Sequence, residues 1–439
     1  MSIITVDFNK QTAKVKPMQA VNNGPKRPGR SQLRHNFDSY KALKIPYART
    51  HDASICYDYG AEHCVDVNGI FPNFDADVND PANYDFLLTD QYLETIMDAG
   101  AKVYYRLGSR IEHWDKKYNT LPPKDFKKWA EICEHIIAHY TEGWADGFKW
   151  DIEYWEIWNE PEVEDGQDPK TKNTWGGTNE EFFDFFEISA KHLKNRFPHL
   201  KIGGPALCWQ HDWGRRFVKT MSERNVPLDF YSWHLYNHKI YKFKEDSDTV
   251  RGYLDEFGYT KTESHLNEWN FVLDWQERFV ESLLAIAGAK GAAYITAAMI
   301  ACQHSTVDML MYYDARIDTV FNGLWHLITL EPQHQYYSIY YFSKLFELEN
   351  EAMSNSDDED VYSLAATNGD GKAGMIAYYT HIEDAKAKKV TLELTGCSDN
   401  FEFYEVSNAN LNQKISVKVE NGKAELVIEP DTIIYYSEK

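Results

Sequence analysis

"YWEIWNEPEVED", residues 154–165, carries the reading of this chain. Tyr154, Trp155, Ile157 and Trp158 make an apolar run broken only by Glu156, the pattern of a strand buried on both faces. Asn159, Glu160 and Pro161 then stop it, because proline has no N–H to offer a further ladder bond. Strict alternation would send Asn159 and Glu160 to opposite faces. Both reach one cleft only if the strand ends there and turns. The stretch reads as a rigid post holding up a carboxylate, with Glu162, Glu164 and Asp165 beyond it in solvated loop.

Seven more runs read as strands: "MQAVN" (18–22), "IPYART" (45–50), "KVYYRLG" (102–108), "KIGGPA" (201–206), "LDFYSWHLY" (228–236), "ESHLNEWN" (263–270) and "DMLMYYDA" (308–315). Helical patterns lie between them. "SQLRHNFDSYKALK" (31–44) sets Leu33, Phe37, Tyr40 and Leu43 on one face. "PPKDFKKWAEICEHIIAHY" (122–140) repeats Phe126, Trp129, Ile132 and Ile136. "TNEEFFDFFEISAKHLKNRF" (178–197) opens on Thr178 with Glu181 three residues on, a capping box. "DWQERFVESLLAIAGAKGAA" (274–293) reads as one longer apolar helix with an Asp cap. Eight strand–helix repeats imply parallel strands joined by right-handed crossovers, and over this length a closed (β/α)8 barrel, the TIM barrel, across residues 17–346. An open doubly wound sheet is the alternative. Its glycine-rich first turn is missing, since the first loop reads "NNGPKRPGR", and no P-loop is present.

The pattern changes near residue 347. "ENEAMSNSDDEDVYS" reads as an acidic connector. Beyond it the period falls to two, and "KISVKVENGKAELVIE" alternates on both sides of Asn421-Gly422, a strong hairpin signal. A smaller accessory antiparallel β-sandwich is expected over 347–439, joined by residues 1–16, where "SIITVDF" and "TAKVKP" also alternate.

Composition narrows the functional class. A formal net charge of −22 argues against a nucleic-acid or anionic-membrane binder. No apolar run is long enough to span a membrane. "MSIITVDFNKQ" has no signal-peptide pattern, which leaves the compartment open between the cytoplasm and export with a leader absent from this sequence. Six scattered cysteines form no CxxC pair; Cys56 and Cys64 are close enough to bridge, and two free thiols is the plainer reading. His and Asp abound in 51–63 without HxH or HExxH spacing, so neither a metal nor any other cofactor is expected. Aromatic residues make up 15% of the chain, enough for a large core or for a cleft lined with flat rings.

In such a barrel, chemistry sits at the C-terminal ends of the strands. There stand Arg49, Thr50 and His51 after strand two, Asn159 and Glu160 after strand four, and His234 and Tyr236 after strand six. Glu268, Trp269 and Asn270 follow strand seven, and Tyr312 and Tyr313 strand eight. Glu160 and Glu268 face each other across the mouth, and opposed carboxylates suit glycoside hydrolysis. Arg49 has a second reading, as a barrel-interior partner of Glu156. Trp114, Trp175 and Trp209, in strand-to-helix loops, read as sugar platforms or as plain loop anchors.

"WEIWNEPE" followed by "ESHLNEWN", with Arg49-Thr50-His51 and a trailing β domain, resembles the clan A glycoside hydrolases, and within them family 39, the β-xylosidase and α-L-iduronidase group. The resemblance covers essentially the whole chain. It implies retention through a covalent glycosyl-enzyme, with Glu160 as acid/base and Glu268 as nucleophile about 5–5.5 Å apart. It implies a sugar site made by Asn159, His51, Arg49, His234 and Tyr236, exo action on a β-linked sugar, and a glycoside or oligosaccharide as the partner. There are departures. Strand seven reads "LNEWN", and a DEWN-type string also occurs in arabinofuranosidases of the clan. Strand eight reads "MYYDAR", without the tryptophan many members place under the sugar, so Tyr312, Tyr313 or Trp325 would have to serve. The rival specificities are arabinose, galactose or a uronic acid, the last needing cations such as Lys116, Lys117, Lys170 or Lys172. The non-enzymatic rival is a glycan-binding barrel without turnover. Oligomeric state is not legible.

Overall fold

A computed structural model describes residues 2–28, 34–51, 63–163, 167–168 and 171–439. Cys56, Glu164, Asp165 and Lys170 lie outside them. Eight parallel strands close into a barrel: Ala20–Asn22, Tyr47–Arg49, Lys102–Leu107, Tyr154–Ile157, Lys201–Leu207, Phe230–Tyr236, Glu263–Asn270 and Met309–Tyr312. Each coincides with one of the runs read from the sequence. Alternation along the strands builds the interior in layers. Ala20, Tyr104, Tyr154, Phe230, Met309 and Met311 form a buried apolar plug. Two residues on from Tyr154 comes Glu156, and four on from Phe230 comes His234. The upper, polar layer therefore stands on an apolar one.

Local signals explain the helices. Asp125 caps Phe126–Thr141, accepting from the N–H groups of Lys127 and Lys128. Thr178 and Glu181 form the expected capping box on Asn179–Arg196. The helix expected over 274–293 is two helices, Phe279–Ile286 and Ala289–Gln303, set 81° apart. Gly288 takes an extended conformation between them and ends the first helix, and Asp274 sits several residues before it as a turn former. Periodicity missed the break because both halves are apolar. Ala289–Gln303 is buried almost throughout, between the barrel and the C-terminal sheet. Among the described residues no single helix is long and apolar enough to cross a membrane.

The C-terminal region is one ten-stranded sheet rather than a purely antiparallel pair of sheets. Ser2–Lys14 enters it, antiparallel to Asn350–Ser356 and parallel to Lys388–Thr395. The sheet curls over itself, so that Ile4, Val6, Leu392 and Leu426 share a core with Ile376, Phe403 and Tyr436. The acidic segment after residue 349 is a strand, Asn350–Ser356, and not a connector. Its serines and asparagines take the half-exposed and exposed positions, Ala352 is buried, and its one acid, Glu351, is buried too and accepts from Gln303 Nε2 at 2.7 Å; pairing to Ser2–Lys14 satisfies its backbone. Asn421 and Gly422 both take positive φ, 53° and 74°, in the hairpin turn.

Candidate active site

The fourth strand ends at Ile157, two residues earlier than its sequence suggests. Trp158 takes φ 71° and Glu160 φ 49°, a region uncommon for residues with a side chain. Neighbouring strands hold this path: Trp158 N–H donates to Leu107 O at 2.7 Å and Glu160 N–H to Ala206 O at 3.0 Å. The Trp158 indole turns outward, donating to Thr174 O at 2.9 Å and packing among Trp129, Trp175 and Phe185. Two consecutive outward residues leave Asn159 and Glu160 together on the cleft side.

The seventh strand solves the same problem with a bulge. Trp233 pairs with Leu266, but His234 pairs with Glu268, so one extra residue is inserted at Asn267. Asn267 points inward and donates to Glu156 at 2.6 Å. Without the bulge its neighbour would face the helices. With it, Glu268 also turns into the mouth, and Trp269 packs outward against Phe243 and Tyr294.

Four partners meet on the Arg49 guanidinium. It donates to Glu156 at 2.7 Å, Asn159 Oδ1 at 2.7 Å, Asn22 Oδ1 at 3.0 Å and Glu268 at 3.1 Å. Because an arginine only donates, Asn159 must offer it the carbonyl oxygen, which leaves the amide nitrogen toward the cleft. That nitrogen and His234 Nε2 are buried with no hydrogen-bond partner among the described residues. Tyr236 donates its hydroxyl to Glu268 at 2.6 Å, and His234 Nδ1 lies 2.8 Å from Glu160 Oε1. His51 and His234 each place Nε2 3.6 Å from Glu268 Oε2.

Electrostatics act on Glu268 and His234. Burial would raise the Glu268 carboxyl, but His234, His51, Arg49 and the Tyr236 hydroxyl outweigh it and hold it down to about 2. Burial pulls the His234 imidazole down, yet the neighbouring Glu268 and Glu160 raise it above its ordinary value. Carboxylate oxygens of Glu160 and Glu268 and a ring nitrogen of His234 all lie within 4.8 Å of one another.

A cleft of about 710 Å³ opens on this cluster. Glu160, Glu268, His234, Tyr236 and Tyr313 line it, as do Cys208, Trp209, Trp275 and Phe321. Several expectations need correcting. Trp325 does not reach the cleft: it is fully buried, stacks on Tyr40 and donates to Ser39 at 2.8 Å. Trp175 is likewise a loop anchor, buried and donating to Thr178 O. Arg49 is wholly buried, so it acts on Glu268 and Asn159 from beneath instead of presenting a surface to a ligand; both of its readings hold part of the answer. Glu162 is not solvated loop. It is buried, because its carboxylate accepts the Cys208 and Trp209 N–H groups at 2.6 and 3.2 Å. Lys117 is committed to Glu112 O, Trp114 O and Asn173.

Sequence reasoning named Glu156 as a partner of Arg49 but missed Asn22 and Asn267 in the frame around it, and Cys208, Trp275 and Phe321 as lining. Trp275 and Phe321 follow strands seven and eight, so their position was the signal available.

The model for glycosyl hydrolases family 39 matches residues 2–251, more than half of the chain. The chain belongs to this family. A β-xylosidase of Geobacillus stearothermophilus is 26% identical over 234 residues, 46% of this chain and 44% of that protein. An α-1,4-L-rhamnosidase of Formosa agariphila is 25% identical over 210 residues, 46% of this chain and 39% of that protein. The matches thus span less than half the length of these relatives. Among solved structures, a glucosidase from Croceicoccus marinus superposes with TM-score 0.80 at 19% identity, covering 100% of this chain and 98% of that one. A monomeric β-xylosidase from Caulobacter crescentus gives 0.71 at 15%, covering 99% of each. A family 51 α-L-arabinofuranosidase from Thermotoga petrophila gives 0.69 at 14%, covering 100% of each. At these identities the likeness is one of fold, shared over the full length of the chain.

Proposed function

We propose that this protein is a retaining glycoside hydrolase that releases a terminal β-linked sugar by double displacement. The observation that carries the proposal is the approach of Glu160 and Glu268 to within 4.8 Å, with Glu268 held as an anion. Retaining pairs stand about 5–5.5 Å apart, whereas inverting pairs need about 6.5–9.5 Å to seat a water between them.

In the first step a Glu268 oxygen attacks the anomeric carbon, the bond to the leaving oxygen breaks, and Glu160 gives that oxygen its proton. The products are the leaving alcohol and a glycosyl ester of Glu268. In the second step Glu160 takes a proton from water, the hydroxide oxygen bonds the anomeric carbon, and Glu268 leaves as carboxylate. Tyr236 and Arg49 spread the charge of Glu268 before attack and receive it again on release. His234 bridges the two acids and can hold the proton that Glu160 must lose and regain. The Asn159 amide nitrogen faces the place of the sugar 2-hydroxyl next to Glu268. No step needs a cofactor.

The β-xylose-like specificity and the exo mode rest on the family and on the Geobacillus relative. The Formosa relative, 25% identical over a shorter stretch, favours a second reading within the same chemistry, a different glycon. A panel of aryl glycosides decides the sugar, and Glu268→Ala decides the mechanism: turnover should fall by several orders of magnitude with the fold intact. Unchanged hydrolysis would reject the nucleophile and the proposal with it.

A further inference from the structure

Trp209 is a large indole left 60% exposed on the wall of the catalytic cleft. Among the described residues it packs on no other ring, whereas Tyr236, Trp275, Tyr313 and Phe321 of the same cleft form a chain of ring contacts. Those contacts gather around Glu268: Tyr236, its hydrogen-bond partner, lies 5.1 Å from Trp275, 6.0 Å from Phe321 and 6.4 Å from Tyr313. Trp209 belongs to the other side. The loop that carries it starts beside the acid: Glu160 N–H donates to Ala206 O at 3.0 Å, and Cys208, the residue before Trp209, lines the cleft with Glu160.

The two sides differ in chemical meaning. The nucleophile must meet the anomeric carbon, and the acid must meet the oxygen that leaves. The sugar being released from its linkage therefore sits against the Glu268 wall, and the leaving group extends past Glu160 toward Cys208 and Trp209. An exposed indole suits the flat C–H face of a pyranose ring.

The backbone under Trp209 is held in an unusual way. Glu162, two residues on from Glu160, is fully buried, and one of its oxygens accepts the N–H groups of both Cys208 and Trp209. Its other oxygen is buried without a hydrogen-bond partner among the described residues. A carboxylate is an expensive group to bury for chain packing alone. Here it ties the loop after strand five to the turn that carries the acid, and so sets the indole at a fixed place relative to Glu160.

We infer that Trp209 is the stacking platform for the leaving-group sugar and that Glu162 is its positioning residue. The inference rests on the retaining reading above. It makes the natural substrate a glycoside whose leaving group is itself a pyranose, and it separates recognition of the leaving group from recognition of the glycon.

The test compares two substrates with the same glycon, the one selected by the aryl-glycoside panel: a disaccharide, and the glycosyl fluoride, whose leaving group is too small to reach Trp209. Trp209→Ala should lower kcat/KM for the disaccharide about tenfold or more and change the fluoride less than about twofold. Trp209→Phe should recover part of the loss. Glu162→Ala should raise KM for the disaccharide with the fluoride again spared, a split that a general loss of stability would not produce. Equal losses on both substrates, or no loss on the disaccharide, would overturn the inference. If Glu268→Ala leaves fluoride hydrolysis intact, or the wild type turns over neither substrate, the glycosidase reading falls instead.

Discussion

The Tyr236 hydroxyl meets Glu268 Oε1 at 2.6 Å, from the strand next to the one that carries the carboxylate. The bulge at Asn267 makes this contact, since it moves Glu268 into register with His234 and onto the same face as Tyr236. A hydrogen bond to a charged group contributes about 1.5–3 kcal/mol. Tyr236→Phe should therefore lower kcat by roughly 10- to 150-fold with the fold retained. Losing a donor to the charged form raises the Glu268 carboxyl, so the acidic limb of kcat/KM should move to higher pH. Initial rates across pH on one aryl glycoside check both.

Arg49, itself wholly buried, ties Glu268 to Glu156, Asn159 and Asn22. Arg49→Met leaves Glu156 buried without its cation, and breaking a buried pair in this way costs about 3–5 kcal/mol. Arg49→Lys keeps the charge but not the fork, so it should fold better than the methionine variant and still lose most activity. Denaturant titration and kcat/KM, measured on both variants, separate the structural part from the catalytic part.

Two buried glutamates should act on stability in opposite directions. Glu268 is held at about 2, below its ordinary 4.5, so its contribution is present above pH 4.5 and is lost as pH falls toward 2. Glu162 is raised by burial and by the neighbouring Glu160 charge to about 6, so the fold is favoured below pH 4.5 and loses that advantage as pH rises through 6. Glu162→Gln should gain on the wild type by about 2 kcal/mol between roughly pH 4 and pH 7.5. Urea unfolding at the two pH values gives the difference; a gain of the opposite sign would contradict the burial of this carboxylate.

Glu160→Ala should stall aryl glycosides at the glycosyl-enzyme, and azide, which needs no base, should rescue them. The product expected is a glycosyl azide of retained configuration. An inverted azide, or no rescue of an activated substrate, would refute double displacement.

The Glu160, His234 and Glu268 ligand atoms lie close enough to hold a cation, and the proposed mechanism makes no use of one. Activity after exhaustive treatment with a chelator should equal that of untreated protein. A loss restored by a divalent metal would point to a different mechanism.

Much of the site was legible because its residues sit where strands stop. Proline after Glu160 and the pattern of eight apolar runs were enough to place Glu160, Glu268, His234 and Tyr236 at one mouth. Trp325 misled, because a tryptophan in a loop after strand eight looks alike whether it lines a cleft or stacks on Tyr40. Glu162 misled for a related reason. An acid beyond a turn reads as solvated unless its acceptors are known, and its partners, the N–H groups of Cys208 and Trp209, lie on the next strand's loop.

Local chemistry, then, determined the barrel, the capped helices, the Asn421-Gly422 hairpin and the pair of glutamates, since hydrophobic period, caps and turn residues act within a few positions of one another. Only the tertiary structure decided which way the strand-end residues face. The positive φ at Trp158 and the bulge at Asn267 are sustained by hydrogen bonds from neighbouring strands, and no pattern along a single strand contains them. The same holds for charge. Glu156, Glu160, Glu162 and Glu268 are one residue type, and what distinguishes them is the arginine, histidines, tyrosine or bare amides that the closed barrel brings beside each.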